Sequence, residues 1–111
     1  MKVAVYGTLR KGGTLSSNME SINAKYLGTY NLKDHAMYNL GWFPAIVSSE
    51  GDEVIVESYE IDKAGLNRLD GIEGYPTLYD RKETEFGFIY FMEKERMGER
   101  EKIESGDWFN K

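Results

Sequence analysis

With 111 residues, fourteen basic and nineteen acidic side chains and a formal net charge of -5, the chain is long enough for one hydrophobic core. It is too acidic to offer the broad basic surface that nucleic acid or anionic membranes require. It has no cysteine, which excludes disulfides, a thiol nucleophile and Cys-ligated metals.

The opening Met1-Lys2-Val3-Ala4-Val5-Tyr6 is too short an apolar run for a signal peptide, and nothing approaches the ~18 apolar residues of a membrane span. A soluble, cytoplasmic single domain over residues 1–111 is expected. Lys2–Tyr6, with β-branched Val3 and Val5, reads as a buried first strand. It runs into Gly7-Thr8-Leu9-Arg10-Lys11-Gly12-Gly13, where backbone N–H groups without ladder partners form either a plain turn or a cradle for an anion. The plain turn is the simpler reading on spacing alone. No Gly-x-x-x-x-Gly-Lys-[Ser/Thr] or Gly-x-Gly-x-x-Gly pattern is present. Ser17 and Glu20 have capping-box spacing for a short helix over Asn18–Ile22.

Lys25–Leu32 and His35–Leu40 read as two β-segments, Gly41-Trp42-Phe43-Pro44 as a turn and Ala45–Ser48 as a short strand. Ser49-Glu50-Gly51-Asp52 has the composition of a hairpin turn, and Glu53–Ile61 is the clearest strand. Asp62 is placed to N-cap a helix, with Ile61 and Leu66 as a hydrophobic staple. Leu66, Leu69 and Ile72 give that helix one apolar face, and Gly71 is the expected stop. Glu73 then falls just beyond the helix, in a corner fixed by Gly74 and Pro76. Leu78–Thr84 and Phe86–Met92 form a hairpin through Glu85-Phe86-Gly87. Glu93–Lys102, dense in alternating charge, reads as a solvated loop or strand edge. Many strands with one or two short helices give a small α+β, barrel-like domain.

His35 is the only histidine. With no second imidazole, no EF-hand spacing and no Gly-x-Ser-x-Gly elbow, metal binding and a serine triad lack support, and His35 reads as structural or exposed. No cofactor is expected. Acid/base chemistry is left to carboxylates. Glu73 stands apart from the other acids because Ile72, Tyr75, Pro76, Leu78 and Tyr79 surround it, and apolar burial raises a carboxyl pKa toward working pH. On these neighbours alone a turn residue is the simpler reading, with catalysis the minority one. Tyr79 and Arg81 are explained as a strand residue and a salt-bridge partner.

Taken together, Tyr6-Gly7-Thr8-Leu9 with Gly12, and Leu69-Asp70-x-x-Glu73-Gly74-x-Pro76-x-x-Tyr79-x-Arg81, resemble the γ-glutamylcyclotransferase-like family. The second pattern leans to its γ-glutamylamine cyclotransferase, AIG2-like branch. Tyr26-Leu27-Gly28, Met37–Gly41 with Phe43-Pro44-Ala45, and Ser105-Gly106-Asp107-Trp108 extend the resemblance over nearly the whole chain.

It implies a small mixed β-barrel with short flanking helices. It also implies a small-molecule γ-glutamyl substrate, bound by Tyr6, Gly7, Thr8, Leu9 and Tyr79, with Glu73 as general acid/base. In the implied reaction the substrate's α-amine attacks its own γ-carbonyl, closing 5-oxoproline and expelling an amine without cofactor or metal. A deacylase that removes a γ-glutamyl cap, and a non-catalytic binding module of the same fold, are the alternatives.

Overall fold

The computed structural model describes residues 1–111. Its elements, in chain order, are β1 (Lys2–Val5), α1 (Ser17–Ser21), β2 (Lys25–Asn39), β3 (Pro44–Glu60), α2 (Lys63–Glu73), β4 (Asp80–Thr84), β5 (Gly87–Phe91) and β6 (Lys102–Ile103), with single 3-10 turns at Lys94–Arg96 and Trp108–Asn110. The strands make one six-stranded sheet in the order β4-β5-β1-β3-β2-β6. Every pairing is antiparallel except β1 with β5. No helix is long and apolar enough to cross a membrane.

Alternation along the strands sorts the buried side chains onto two faces. Val3, Val5, Ala45, Val47 and Tyr90 join Met19 of α1 and Leu66 and Leu69 of α2 in one cluster. Ala4, Tyr6, Met37, Ile46, Val54, Val56 and Ile89 form a second cluster with Ile103 and Trp108. No residue of α1 or α2 enters that second cluster, which Trp108 of the last segment joins. The mixed α+β fold is therefore as expected. The sheet, however, is open, because its edge strands β4 and β6 do not pair. One isolated bond, Met92 N–H to the Ile46 carbonyl at 3.0 Å, draws β5 toward the start of β3.

The largest departure from expectation is that four short β-segments are two long strands. Pro44–Ser48 and Glu53–Glu60 both pair with β2, so Ser49–Asp52 does not reverse the chain. It is an irregularity opposite Asp34, between the register pairs Lys33–Glu53 and His35–Ser48. The Asp34 carboxylate accepts from Gly51 N–H at 3.0 Å, holding the excursion in place. His35 beside it is buried, with Nδ1 at 2.8 Å from the Lys33 carbonyl.

The Ser17/Glu20 capping box does not form: Ser17 is already helical and Ser16 precedes it without a side-chain cap bond. The β4–β5 hairpin is as expected. In the Glu93–Lys102 stretch, Glu93 to Arg96 are exposed and Met97 anchors the loop in the core.

Candidate active site

The site is assembled by α2, by the turn after β1 and by the start of β3. Helix α2 begins where expected, with the Asp62 carboxylate accepting from Gly65 N–H at 2.7 Å. Its end is one turn later than Gly71. Gly74 adopts the left-handed conformation (φ 67°, ψ 32°). Tyr75 N–H reaches the Asp70 carbonyl at 2.9 Å and Gly74 N–H the Gly71 carbonyl at 3.2 Å, a Schellman end. Glu73 is thus the last helical residue rather than one beyond the helix. It stands at the i+7 position from Leu66 and the i+4 position from Leu69, on the helix face that carries the core. The peptide bond from Tyr75 to Pro76 is cis.

β1 ends at Val5, and Tyr6–Leu9 leave the sheet directly. Gly7 has no room for a side chain, because a Cβ there would sit 2.6 Å from the Pro44 ring. That close approach brings the start of β3 against the loop. The turn closes with Arg10 N–H on the Gly7 carbonyl at 3.0 Å, and the Thr8 carbonyl accepts from Leu15 N–H at 2.9 Å. The N–H groups of Gly7, Thr8 and Leu9 donate to no backbone or side-chain acceptor of the protein. Such a run of free donors is costly unless solvent or a ligand meets it.

Glu73 and residues Tyr6–Leu9 line one open cavity of about 300 Å³. Phe43, Pro44, Ile72 and Leu78 supply apolar walls, Tyr79 and Tyr90 close the interior, and Trp42 stands at the lining 90% exposed. The volume is at the lower end for small-molecule sites. No Lys, Arg or His lines it.

Within this cavity the polar groups are unequal. The Tyr6 hydroxyl donates to the Tyr90 carbonyl at 2.7 Å, and the Tyr79 hydroxyl donates to the Pro44 carbonyl. The Tyr90 hydroxyl donates to Asp70 at 2.7 Å, and Asp70 also takes the Arg81 guanidinium. Burial, reinforced by neighbouring negative groups that include Glu73, pushes all three phenols well above the ordinary tyrosine range. They stay protonated donors, already committed elsewhere. The Glu73 carboxylate has no such partner. Burial alone pushes its pKa from the ordinary 4.5 up to about 7. A carboxyl tuned to that value can take a proton and return it near neutral pH.

All the expected site residues (Tyr6, Gly7, Thr8, Leu9, Glu73 and Tyr79) therefore meet in one cavity. Asp70 and Arg81 form an ion pair outside the lining, linked to it by the Tyr90 hydroxyl. Sequence reasoning missed Tyr90, which reads as one more strand aromatic, and Arg10, whose partners lie far along the chain. No group of three or more His, Cys, Asp or Glu side chains converges as a metal set.

Comparison with known proteins adds the family context. Residues 3–110 match the family model for gamma-glutamyl cyclotransferase, AIG2-like. The gamma-glutamylcyclotransferase family protein YtfP of Escherichia coli K12 is 34% identical, the match covering 100% of this chain and 98% of YtfP. A putative gamma-glutamylcyclotransferase of Pyrococcus horikoshii is 33% identical over 97% of this chain and 90% of its own length. The crystal structure of that Pyrococcus protein superposes with a TM-score of 0.77, covering 97% of this chain and 89% of the other, at 32% identity. The solution structure of Escherichia coli YtfP gives a TM-score of 0.78 over 99% and 97% at 31% identity.

Proposed function

This chain belongs to the gamma-glutamyl cyclotransferase, AIG2-like family, and we propose that it converts a γ-glutamylamine or γ-glutamyl amino acid to 5-oxoproline and a free amine. The observation that carries the proposal is the pairing of one unpartnered carboxylate, Glu73, with the free N–H groups of Gly7, Thr8 and Leu9 in a single cavity.

The donors suit the α-carboxylate of a γ-glutamyl group, since backbone N–H groups converging on an anion form a nest. Fixing that carboxylate leaves the side chain to curl toward Glu73, with Tyr79 and the apolar walls limiting its conformations. Orientation is a large share of the barrier when a five-membered ring closes within one molecule. With the α-amine neutral, one proton moves. The amine nitrogen bonds to the γ-carbonyl carbon as Glu73 takes its proton. The bond from that carbon to the leaving nitrogen then breaks as Glu73 returns the proton to it. The carboxylate is regenerated, and the products are the lactam and the amine. A carboxyl with a pKa of about 7 is matched to both halves of this exchange near neutral pH.

A panel of γ-glutamyl amines and γ-glutamyl amino acids, assayed for both 5-oxoproline and free glutamate, tests the proposal. Release of 5-oxoproline is the expected result. Release of glutamate instead identifies a deacylase, and saturable binding without product identifies a binding module; either outcome overturns it.

A further inference from the structure

One polar cluster plays no part in this proposed mechanism. Arg10 is a buried arginine, 8% exposed, immediately after the turn that carries the free N–H groups. Its Nε donates to Glu57 Oε2 at 2.9 Å and its Nη1 to Asp107 Oδ1 at 2.8 Å. The second oxygen of Glu57 accepts from Lys11 N–H at 3.0 Å and from the Tyr59 hydroxyl at 2.8 Å. Asp107 Oδ1 also accepts from Phe109 N–H at 3.0 Å, and the Phe109 ring lies 4.5 Å from the guanidinium carbon.

Burying a guanidinium against a buried carboxylate is often no net gain in stability over well-packed apolar side chains. The arrangement is therefore better understood through what it holds. Arg10 N–H closes the turn on the Gly7 carbonyl, and the Arg10 carbonyl accepts from Gly13 N–H at 2.8 Å. The side chain thus pins the residue at which the turn closes, while Leu9, 3% exposed, pins it from the core side. β3 supplies Glu57 and the chain's last segment supplies Asp107, both rigidly hydrogen-bonded. Arg10 thus anchors the closing end of the turn, while the N–H groups of residues 7–9 carry no bond within the protein.

We propose that Arg10, clamped between Glu57 and Asp107, is a positioning residue that sets the affinity of the Gly7–Leu9 N–H groups for a carboxylate. This deepens the function proposed above and rests on it for the identity of that carboxylate. Arg10 does not itself line the cavity; it reaches it through its bond to the Gly7 carbonyl and its neighbour Leu9. A lysine cannot replace it, because one ammonium lacks the planar fork that bridges two carboxylates.

The test compares wild type with Asp107→Asn and Arg10→Lys. Asp107 is the milder site, since its side chain is 28% exposed. Each protein is assayed on a γ-glutamyl amine and on the same compound with its α-carboxylate converted to carboxamide. Binding of 5-oxoproline and of its carboxamide is followed in parallel by the backbone amide NMR shifts of residues 7–9.

Both variants are expected to raise KM for the carboxylate substrate about tenfold, with kcat within about twofold. The carboxamide KM should be unchanged, so the carboxylate preference shrinks by the same factor. The 5-oxoproline Kd should rise in step. An unchanged preference and Kd in a folded Asp107→Asn variant, or equal losses on both substrates, would overturn the inference while leaving the parent function standing. A wild type that releases no 5-oxoproline overturns the parent reading. The inference then survives only if 5-oxoproline still shifts the 7–9 amides and the variants weaken it; no such shift overturns both.

Discussion

Two carboxylates flank the same turn and are treated in opposite ways. Glu57 lies beneath it, 5% exposed, and its two oxygens accept from Arg10, Lys11 N–H and Tyr59. Glu73 lies in the cavity above it, half-buried, and nothing in the protein donates to it. The first charge is fully satisfied and chemically idle. The second is held without partners by a helix end that positions it on a core face, and its proton is correspondingly easy to exchange near neutral pH. Burial alone does not distinguish the two carboxylates; what sets Glu73 apart is burial without a partner, in the cavity that residues 7–9 also line.

The largest effect that would break this contrast is on activity. Glu73→Gln keeps the shape and removes the base. It should lower kcat for 5-oxoproline release by about 10²–10⁴-fold, with the far-UV circular dichroism unchanged; wild-type turnover would dismiss Glu73 from the mechanism.

Glu57→Gln should behave in the reverse sense. It removes the charge opposite a buried guanidinium and should cost about 3 kcal/mol of stability by urea unfolding. Any residual folded fraction should still release 5-oxoproline.

A third effect concerns Glu73 and pH. The folded state holds the Glu73 proton up to about pH 7, whereas the ordinary carboxyl releases it near 4.5. The stability associated with the protonated form is therefore complete below about 4.5 and is lost as pH rises through about 7. Glu73→Gln should melt a few degrees above wild type at pH 8 and at the same temperature at pH 4; a lower melting point at pH 8 would mean the carboxylate is satisfied after all. The smallest effect is Tyr59→Phe. It removes one of the bonds to Glu57 and should cost about 1 kcal/mol, with kcat unchanged.

Local chemistry was enough to read Asp62 as a cap, the β4–β5 hairpin and the apolar company of Glu73. It failed where the deciding contact is distant. Ser49-Glu50-Gly51-Asp52 has hairpin composition, yet both of its flanks pair with β2, and that pairing keeps the strand running through. Gly71 and Gly74 can each end a helix. The choice falls to Gly74, where the Tyr75 and Gly74 N–H groups find helix carbonyls. The i+7 relation of Glu73 to Leu66 carried that information, had the helix been extended by one turn.

Arg10 sits in a glycine-rich loop that reads from its sequence as a plain turn. Glu57 and Asp107 lie 47 and 97 positions away, so no local pattern reveals that it is buried. That residues 7–9 lack strand partners was visible in the sequence; that they share a cavity with Glu73 was not.

The pH dependence of kcat/KM for 5-oxoproline release by the wild-type protein tests the central claim most directly. If an unpartnered Glu73 is the proton carrier, the profile should contain, besides the ionisation of the substrate's own α-amine, a free-enzyme ionisation with its midpoint near 7 that Glu73→Gln abolishes. Such an ionisation with its midpoint between about 4 and 5, the ordinary carboxyl range, would show that the carboxylate carrying the proton is not held in this way.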